Sequence, residues 1–366
     1  MAVRNFGVEE ELLLVAEDSG APLALADAVI SQGSGDSRES GDAPESELKR
    51  QQVEMATAPC ATPEELAAEL RTRRQAAATA ARRTGAAVAA LATSPLAAPP
   101  EVMPDARYQW MSREYALTAE EQLTCGCHVH VSVGSEQEGV AVLDRIRPWL
   151  PTLLALTANS PFWHGRDSGY ASYRHQMWGR WPSSGPTEVF GTPEAYHDTV
   201  RDMVGSGVLL DEGMVYFDAR LSRRYPTVEI RIADICLLAD DAVLLALLVR
   251  GLVETAAGAW RAGEPPPAVR TELLRLASWR ASRSGLDGDL IHPVAVRPAA
   301  ADVVVAALLD HLAPALTATG DLGTATTMLD RLSRRGNGAA LQRRVHAETG
   351  DLADVVRAAV TATLDG

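Results

Sequence analysis

The chain has 366 residues, a formal net charge of −14 at pH 7 and 46% hydrophobic residues. A chain of this size and composition can bury a large core, and its acidity disfavours nucleic acid as a partner, because a basic groove would have to form against the overall field. The 34 basic residues include a single lysine, Lys49, which excludes a G-x-x-x-x-G-K-[ST] phosphate loop and any mechanism that needs several lysines.

The chain contains four cysteines, Cys60, Cys125, Cys127 and Cys236. They are too few and too scattered for a disulfide framework and indicate free thiols in a reducing compartment. Near the N-terminus Glu9 and Glu10 arrive before the apolar core of a signal peptide could form, and the apolar run 242–249 is stopped by Arg250. The sequence therefore predicts a cytoplasmic protein with neither a signal peptide nor a membrane span.

The first predicted elements are a strand, a hairpin and a long helix. Asn5–Val15 alternates between faces and predicts a strand. The polar, glycine-rich and acidic stretch Gln32–Glu47 predicts the mobile tip of a hairpin that resumes at Leu48–Thr57. A cap at Thr62 and an N1 proline open a predicted helix over Pro63–Leu91. Further strands are predicted at Cys125–Val133 and Pro226–Ile235, and helices at Glu136–Thr157, Pro193–Gly205, Asp240–Ala262, Ala268–Ser282, Ala301–Ala318 and Asp351–Leu364.

The order of these elements indicates the fold class. Whole helices separate the strands in an irregular order, there is no internal repeat, and nothing marks a second domain with its own core. We therefore expect one α+β domain over residues 1–366, with an antiparallel sheet and a helical C-terminal part.

Acids and histidines recur at a spacing of two residues on the predicted strands. The pairs that share a strand face are Glu9 and Glu11, His128 and His130, and Glu229 and Arg231, with Glu54 on a further strand and Glu47 seven residues before it. Carboxylates on otherwise apolar strands need a counter-charge, and their oxygens suit Mg²⁺ or Mn²⁺. For any one of these residues a solvated strand face is the alternative, but the repetition on separate strands favours a cation site.

Five segments of the chain resemble the bacterial carboxylate-amine ligase family, often labelled type 2 glutamate-cysteine ligase. In family order they are GVEEELLL (Gly7–Leu14), VEMAT (Val53–Thr57), CGCHVHVSV (Cys125–Val133), Ala158–Pro182 and VEIRIADI (Val228–Ile235). The resemblance runs through nearly the whole chain. It implies a glutamine-synthetase-like and glutamate-cysteine-ligase-like fold, in which a curved antiparallel sheet flanked by helices lines a funnel for ATP and two or three Mg²⁺ ions.

The same resemblance implies roles for individual residues. Metal-ligand positions fall on Glu9, Glu11, Glu47, Glu54, His128 and Glu229. Arg231 falls on the arginine that meets the transferring phosphoryl group, and Arg231 and Glu54 are the implied catalytic residues. The implied reaction is attack of a substrate carboxylate, from glutamate or a related amino acid, on the γ-phosphate of ATP, followed by displacement of phosphate by an amine such as cysteine. Metal and arginine suffice for this chemistry, so the shortage of lysine agrees with it.

A loop rich in aromatic and arginine residues is the predicted substrate-binding segment. Between Ser168 and Trp181 it carries Tyr170, Tyr173, Arg174 and Arg180. Such a mixture suits recognition of a carboxylate and a planar base. We expect Arg174 and Arg180, with Arg231, to contact the nucleotide, and Arg174, Tyr170, Tyr173 and His130 to contact the substrate. A packed structural loop with surface arginines is the alternative.

Cys125 and Cys127 beside the two histidines suggest structural zinc, but thiols and imidazoles face opposite sides of one strand, which favours buried thiols. Two alternatives to the ligase stay open from the sequence. One is a non-catalytic protein that binds nucleotide or an amino acid and regulates a partner, and the other is a metal-dependent hydrolase. Small-molecule acids and amines are the expected partners, neither nucleic acid nor membrane is expected, and homo-oligomerisation and a gating role for residues 31–46 stay undecided.

Overall fold

The computed structural model describes residues 3–36 and 44–365. Its strands are β1 (Phe6–Val15), β2 (Glu45–Ser46), β3 (Gln52–Ala56), β4 (Ala87–Ala89), β5 (Cys127–Ser132), β6 (Phe162–Trp163), β7 (Arg166–Asp167), β8 (Ala219–Leu221), β9 (Thr227–Ile230), β10 (Asp289–Ile291) and β11 (Pro298–Ala300). Its helices are α1 (Ala26–Asp36), α2 (Pro63–Arg82), α3 (Ala106–Tyr115), α4 (Leu117–Glu121), α5 (Glu136–Ile146), α6 (Leu150–Thr157), α7 (Tyr173–Trp178), α8 (Pro193–Gly205), α9 (Ala239–Arg261), α10 (Thr271–Ser284), α11 (Ala301–Thr319), α12 (Leu322–Arg335), α13 (Gly338–Thr349) and α14 (Leu352–Asp365).

One antiparallel sheet organises the fold, in the order β2-β3-β1-β5-β9-β8, with β4 pairing to the end of β1. β1 is long because its residues have partners on both sides: β3 along one edge, and β5 followed by β4 along the other. The α+β prediction of an antiparallel sheet flanked by helices is confirmed. The sheet is the scaffold of the site, since its strands carry the acids singled out in the sequence.

The helices α2, α9 and α14 pack against the sheet. The face that they cover carries apolar side chains and one ion pair, in which Glu10 of β1 meets Arg74 of α2. Both side chains are almost fully buried. Because side chains alternate along a strand, Glu10 points into this helical layer while Glu9 and Glu11 point to the other side of the sheet.

Two helices, α9 and α11, are long and apolar enough to cross a membrane by length and composition alone. Most of α9 lies inside the protein, where 78% of its most apolar window is buried, against 28% for α11. The length and apolar character of α9 are those of a core helix of a large domain.

Four predicted elements differ in extent from the structure. The strand expected over Pro226–Ile235 covers only Thr227–Ile230. The helix expected over Pro63–Leu91 ends at Arg82, because Gly85 turns the chain with a φ of +80° and residues 87–89 then form β4. The helix expected over Glu136–Thr157 is divided by a 3₁₀ turn at Arg147–Trp149, where prolines remove backbone donors. The predicted hairpin tip is in part the helix α1, and its residues 37–43 lie outside the described residues.

Candidate active site

The register of the sheet brings the predicted acids and histidines together on one face. Glu11 on β1 lies opposite Glu54 on β3, and Glu9 lies opposite His128 on β5. His130 lies opposite Glu229 on β9, which in turn faces Arg220 on β8. Since directly paired residues in an antiparallel ladder project to the same side, five neighbouring strands contribute to one polar surface.

This surface is the floor of a cavity of about 500 Å³. Its lining includes Glu9, Glu11, Glu47, Glu54, His128, His130, Glu229 and Arg231 from the predicted set. Aromatic and apolar side chains form part of the wall, among them Tyr108, Met111, Trp178, Trp181 and Tyr216. We refer to it as the active-site cavity.

Three overlapping groups of side chains in the cavity could each hold a metal ion. They are Glu11–Glu47–Glu54, Glu9–Glu54–His128 and Glu9–His130–Glu229, and within each group one ligand atom per residue lies within 4.8 Å of the others. Carboxylate oxygens with at most one imidazole suit a hard divalent cation such as Mg²⁺ or Mn²⁺. The donor set therefore fits the metals that the sequence predicted.

The surroundings of Glu11 and Glu54 disfavour the charged form of their carboxylates. Burial, followed by the charge of Glu47, raises the pKa of Glu11 to about 7. The same two causes raise the pKa of Glu54 well above its ordinary value. A divalent cation would relieve this repulsion by supplying the missing positive charge.

Glu9 has the opposite environment, because it lies between two imidazoles. Its carboxylate is 3.4 Å from Nδ1 of His128 and 3.3 Å from Nε2 of His130. Burial alone would raise the pKa of Glu9, but the two histidines together hold it well below its ordinary value. Burial, with the nearby charge of Arg231, lowers the pKa of His128 to about 4, so this imidazole is neutral near pH 7 and available as a ligand.

Glu229 lies between the other acidic residues of the cavity floor and two arginines. Its carboxylate accepts hydrogen bonds from Nε and Nη2 of Arg220 at 2.8 and 3.2 Å and from Nη1 of Arg231. Burial disfavours the charged carboxylate, but the charges of Arg231 and Arg220 outweigh it and lower the pKa of Glu229. The two guanidinium groups thus lie on the cavity wall beside the acids.

Only part of the aromatic loop, residues 168–181, lines the cavity. Trp178 and Trp181 line it, whereas none of the predicted Tyr170, Tyr173, Arg174 and Arg180 is among its described lining residues. Tyr170 and Tyr173 pack against each other with ring centroids 5.8 Å apart. Arg180 forms an ion pair with Glu121 at 2.6 Å. Substrate or nucleotide contact by these four residues stays a prediction that the cavity lining does not support.

His130 is the one predicted substrate contact that lies in the cavity. Its Nδ1 is 3.0 Å from the hydroxyl of Thr227, and its ring packs edge-on against Tyr225. It also belongs to one of the three possible cation groups. A contact to substrate and a role as metal ligand are therefore both open to this imidazole.

Several lining residues were not selected from the sequence. They include Arg107, Tyr108, Gln122, Tyr216, Arg220, Arg223 and Arg224. The run Arg220–Tyr225, with three arginines directly before a predicted strand, was a usable signal. Arg107 and Tyr108 lie on α3, for which no helix was predicted. The cysteines Cys125 and Cys127 are buried and free, and neither lines the cavity.

Comparison with known proteins identifies the family and agrees with the fold. Residues 5–358 match the model of glutamate-cysteine ligase family 2. A Streptomyces avermitilis protein named "Putative glutamate--cysteine ligase 2-1" is 55% identical over 361 residues, covering 99% of each chain. A Streptomyces coelicolor protein with the corresponding name is 54% identical over 361 residues, again covering 99% of each chain.

Two solved structures share the fold at low sequence identity. Glutamate-cysteine ligase from Francisella tularensis, in complex with AMP, gives a TM-score of 0.65 at 12% identity and covers 100% of this chain and 90% of its own. A bifunctional glutathione synthetase from Pasteurella multocida gives a TM-score of 0.70 at 14% identity and covers 99% of this chain and 52% of its own. The chain belongs to glutamate-cysteine ligase family 2 and is a carboxylate-amine ligase of that kind.

Proposed function

We propose that the protein joins glutamate, or a related amino acid, to an amine such as cysteine in a reaction that consumes ATP, depends on Mg²⁺ and passes through an acyl phosphate. The observation that carries this proposal is the convergence of acids and histidines from four strands, beside Arg231, in one cavity. Such an arrangement suits a polyanion bound through cations. The Francisella tularensis ligase of the same fold was solved with AMP, which agrees with nucleotide binding here.

Two cation positions follow from the ligand groups. Glu11, Glu47 and Glu54 would hold one ion. Glu9 would hold a second with His128 or with His130 and Glu229. When bound, these ions neutralise and orient the phosphates of the nucleotide. Mn²⁺ would fit the same oxygen-rich donor sets.

Arg231 is the proposed group that stabilises the transferring phosphoryl. It lies on the cavity wall next to Glu229, which holds one guanidinium nitrogen, while its Nε has no hydrogen-bond partner among the described residues. A guanidinium fixed in this way meets developing negative charge without reorganising. Most of the rate enhancement then comes from positioning the substrate carboxylate and the γ-phosphate, because phosphoryl transfer requires little covalent chemistry from the protein.

The aromatic wall is the proposed place for the amine. Trp178 and Tyr216 have ring centroids 4.9 Å apart, and Trp181 lies 5.7 Å from Tyr216. An apolar wall of this kind suits a small apolar or thiol side chain better than a charged one. Cysteine as the amine comes from the names of the relatives.

The proposed setting is the cytoplasm, and residues 1–366 are proposed to form one catalytic domain. The four cysteines are buried and free, as suits a reducing compartment. The family match extends over residues 5–358, which supports a single functional unit.

The decisive experiment is transfer of ¹⁸O from labelled glutamate to phosphate. The protein is incubated with ATP, Mg²⁺, ¹⁸O-carboxylate glutamate and a panel of amines that includes cysteine, and mass spectrometry follows phosphate and product. An acyl phosphate requires one ¹⁸O atom in each phosphate released, with ADP and an amide formed in equal amounts. Glu54→Gln should lower turnover about 100-fold or more, whereas Glu272→Gln, at an exposed position of α10, should leave it unchanged.

Other outcomes would favour the alternatives. ATP binding without turnover, unaffected by Glu54→Gln, would favour a regulator. Turnover of amides or esters without ATP would favour a metal-dependent hydrolase. Failure of every acid and amine pair would count against the ligase proposal.

A further inference from the structure

Gly126 forms hydrogen bonds with both the side chain and the backbone of Glu11. Its backbone N–H donates to Oε2 of Glu11 at 2.6 Å, and its carbonyl accepts from the N–H of Glu11 at 3.1 Å. It precedes β5 by one residue. Since side chains alternate along an extended chain, any side chain at position 126 would project to the same face as His128.

The space in which a side chain at Gly126 would lie is already filled. An ideal Cβ there would be 2.4 Å from Nη2 and 3.1 Å from Cζ of Arg174, and 3.1 Å from Nε2 of His128. Real Cβ atoms essentially never lie within 3.0 Å of another atom, so any other residue would have to displace Nη2 of Arg174. Gly126 is not among the residues with positive φ, so room for Arg174, and not backbone conformation, is the reason for glycine here.

Arg174 is buried beside the cavity, on the same face of the sheet as His128. It is 1% exposed, its backbone N–H donates to the hydroxyl of Ser160 at 2.9 Å, and its guanidinium carbon lies 5.3 Å from the ring centroid of Trp178. Nη1 reaches only the carbonyl of Ile232, at 3.4 Å, and the carboxylate of Asp234, at 4.0 Å. Nε and Nη2 have no hydrogen-bond partner within the described part of the chain.

The guanidinium thus lies close to two of the possible cation ligands. Nη2 of Arg174 and Nε2 of His128 are both within about 3 Å of the place that a Cβ at Gly126 would take. Glu11, fixed by the Gly126 N–H, is within reach of the charge of Arg174, which favours its ionised form. Groups that orient metal ligands from behind matter nearly as much as the ligands themselves.

We propose that Gly126 is a positioning residue, which reserves the space for the Arg174 guanidinium so that Glu11 and His128 are held toward the cavity. Arg174 is then a second positioning residue and not the direct substrate contact that the sequence predicted. The inference rests on the proposed function in one respect, namely that Glu11 and His128 bind divalent cations. It names a determinant of cation affinity that lies outside the cavity lining.

The test is a double-mutant cycle in which Mn²⁺ binding to the full chain is measured by electron paramagnetic resonance. Gly126→Ala should lower the Mn²⁺ affinity about 10-fold or more, the usual effect of losing a group that orients a ligand. Arg174→Lys, which keeps the charge but lacks Nη2, should lower it by a similar factor. Because both changes act on one contact, the Mn²⁺ affinity of the double variant should be only slightly lower than that of the weaker-binding single variant.

The matched control is Gly258→Ala on α9, where a Cβ would meet nothing within 4 Å. It should bind Mn²⁺ as the wild type does. Circular dichroism and thermal unfolding establish that each variant is folded. If Gly126→Ala fails to fold, Arg174→Lys decides: weakened Mn²⁺ binding in the folded variant supports the proposal, and wild-type binding overturns it.

Two results with folded variants would overturn the proposal. One is wild-type Mn²⁺ affinity in Gly126→Ala, and the other is single losses that simply multiply in the double variant. Absence of Mn²⁺ binding in the wild-type chain would instead remove the cation sites of the proposed function. Turnover is measured separately, so an inactive wild type that binds Mn²⁺ leaves this inference standing while the ligase proposal fails.

Discussion

Glu11 on β1 and Glu54 on β3 face each other directly across the sheet, two carboxylates in the most closely coupled position that an antiparallel ladder offers. Like charges placed so are destabilising, and burial with the neighbouring Glu47 raises the pKa of both. The fold keeps this pair although glutamine would fit either position. The arrangement is therefore understandable as a site that is completed by a cation.

Removing one charge of this pair should separate stability from activity. Without divalent cations, Glu54→Gln should raise the free energy of unfolding by roughly 0.5–1 kcal/mol, because the like-charge repulsion is lost. With ATP and Mg²⁺, the same variant should lose about 100-fold or more in turnover. Urea unfolding in chelator and steady-state ADP release measure the two effects. A variant that is both less stable and fully active would contradict the cation site.

The raised pKa of Glu11 predicts a specific dependence of stability on pH. Between its ordinary value of 4.5 and about 7, the folded state binds more protons than the unfolded state, so the contribution of Glu11 to stability falls as the pH rises through this window. His128 and His175 act in the opposite direction, because burial lowers the pKa of each to about 4. Comparison with a matched variant isolates the contribution of Glu11.

In chelator, Glu11→Gln should therefore gain stability relative to the wild type as the pH rises from 5 to 8. The gain should be on the order of 2–3 kcal/mol if the raised pKa is fully expressed. Urea unfolding of both proteins at the two pH values measures it, and saturating Mg²⁺ should stabilise the wild type more than the variant. A constant difference between the two proteins from pH 5 to 8 would rule out the raised pKa.

The positions of the acids could be predicted from the sequence because they depend on strand periodicity. Residues two apart on one strand share a face, so Glu9 with Glu11 and His128 with His130 were paired without knowledge of the fold. Which strands are neighbours cannot be read from periodicity, because ladder partners such as Glu11 and Glu54 are far apart in the chain. The family resemblance supplied that step.

The positions of Arg174 and the aromatic loop could not be predicted in the same way. An arginine in a polar, aromatic segment has the composition of a binding residue, yet Arg174 is 1% exposed. Its burial depends on the space left by Gly126, on a hydroxyl at Ser160 and on the ring of Trp178. Such tertiary contacts leave no trace in local periodicity. The same holds for α3, whose single buried residue, Met111, gives it a weak apolar pattern.

Arg231→Lys should affect catalysis more than binding. Lysine keeps the positive charge beside Glu229 but loses the planar fork that can hold the carboxylate and face the phosphoryl group at once. We expect kcat to fall by about 100-fold while the KM for ATP changes by less than about threefold, since the cation ligands stay in place. Steady-state kinetics at saturating Mg²⁺ provide both values. An unchanged kcat with a raised KM would place Arg231 in ground-state binding instead.

The neighbouring residues Glu9 and Glu10 should have opposite roles, because they point to opposite faces of β1. Glu10 accepts hydrogen bonds from Nε and Nη2 of Arg74 at 2.8 and 2.6 Å, and Arg74 also donates to the carbonyls of Cys236 and Leu237 at 2.7 and 3.0 Å. Both members of the ion pair are buried. Breaking a buried pair leaves an uncompensated charge, so Glu10→Ala should lower the free energy of unfolding by about 3–5 kcal/mol.

Glu10→Ala should nevertheless bind Mn²⁺ as the wild type does once folded, whereas Glu9→Ala should lose Mn²⁺ affinity and, because only its contacts to two histidines are lost, less stability than Glu10→Ala. Urea unfolding in chelator and Mn²⁺ titration of the same samples measure the two quantities. The double variant Glu10→Leu with Arg74→Met, which removes both charges, should recover much of the stability lost by Glu10→Ala. If Glu9→Ala and Glu10→Ala weaken Mn²⁺ binding equally, the division of the sheet into a catalytic face and a structural face is wrong. If the effects separate, one strand supplies both the cation site and the anchor that holds the sheet on α2.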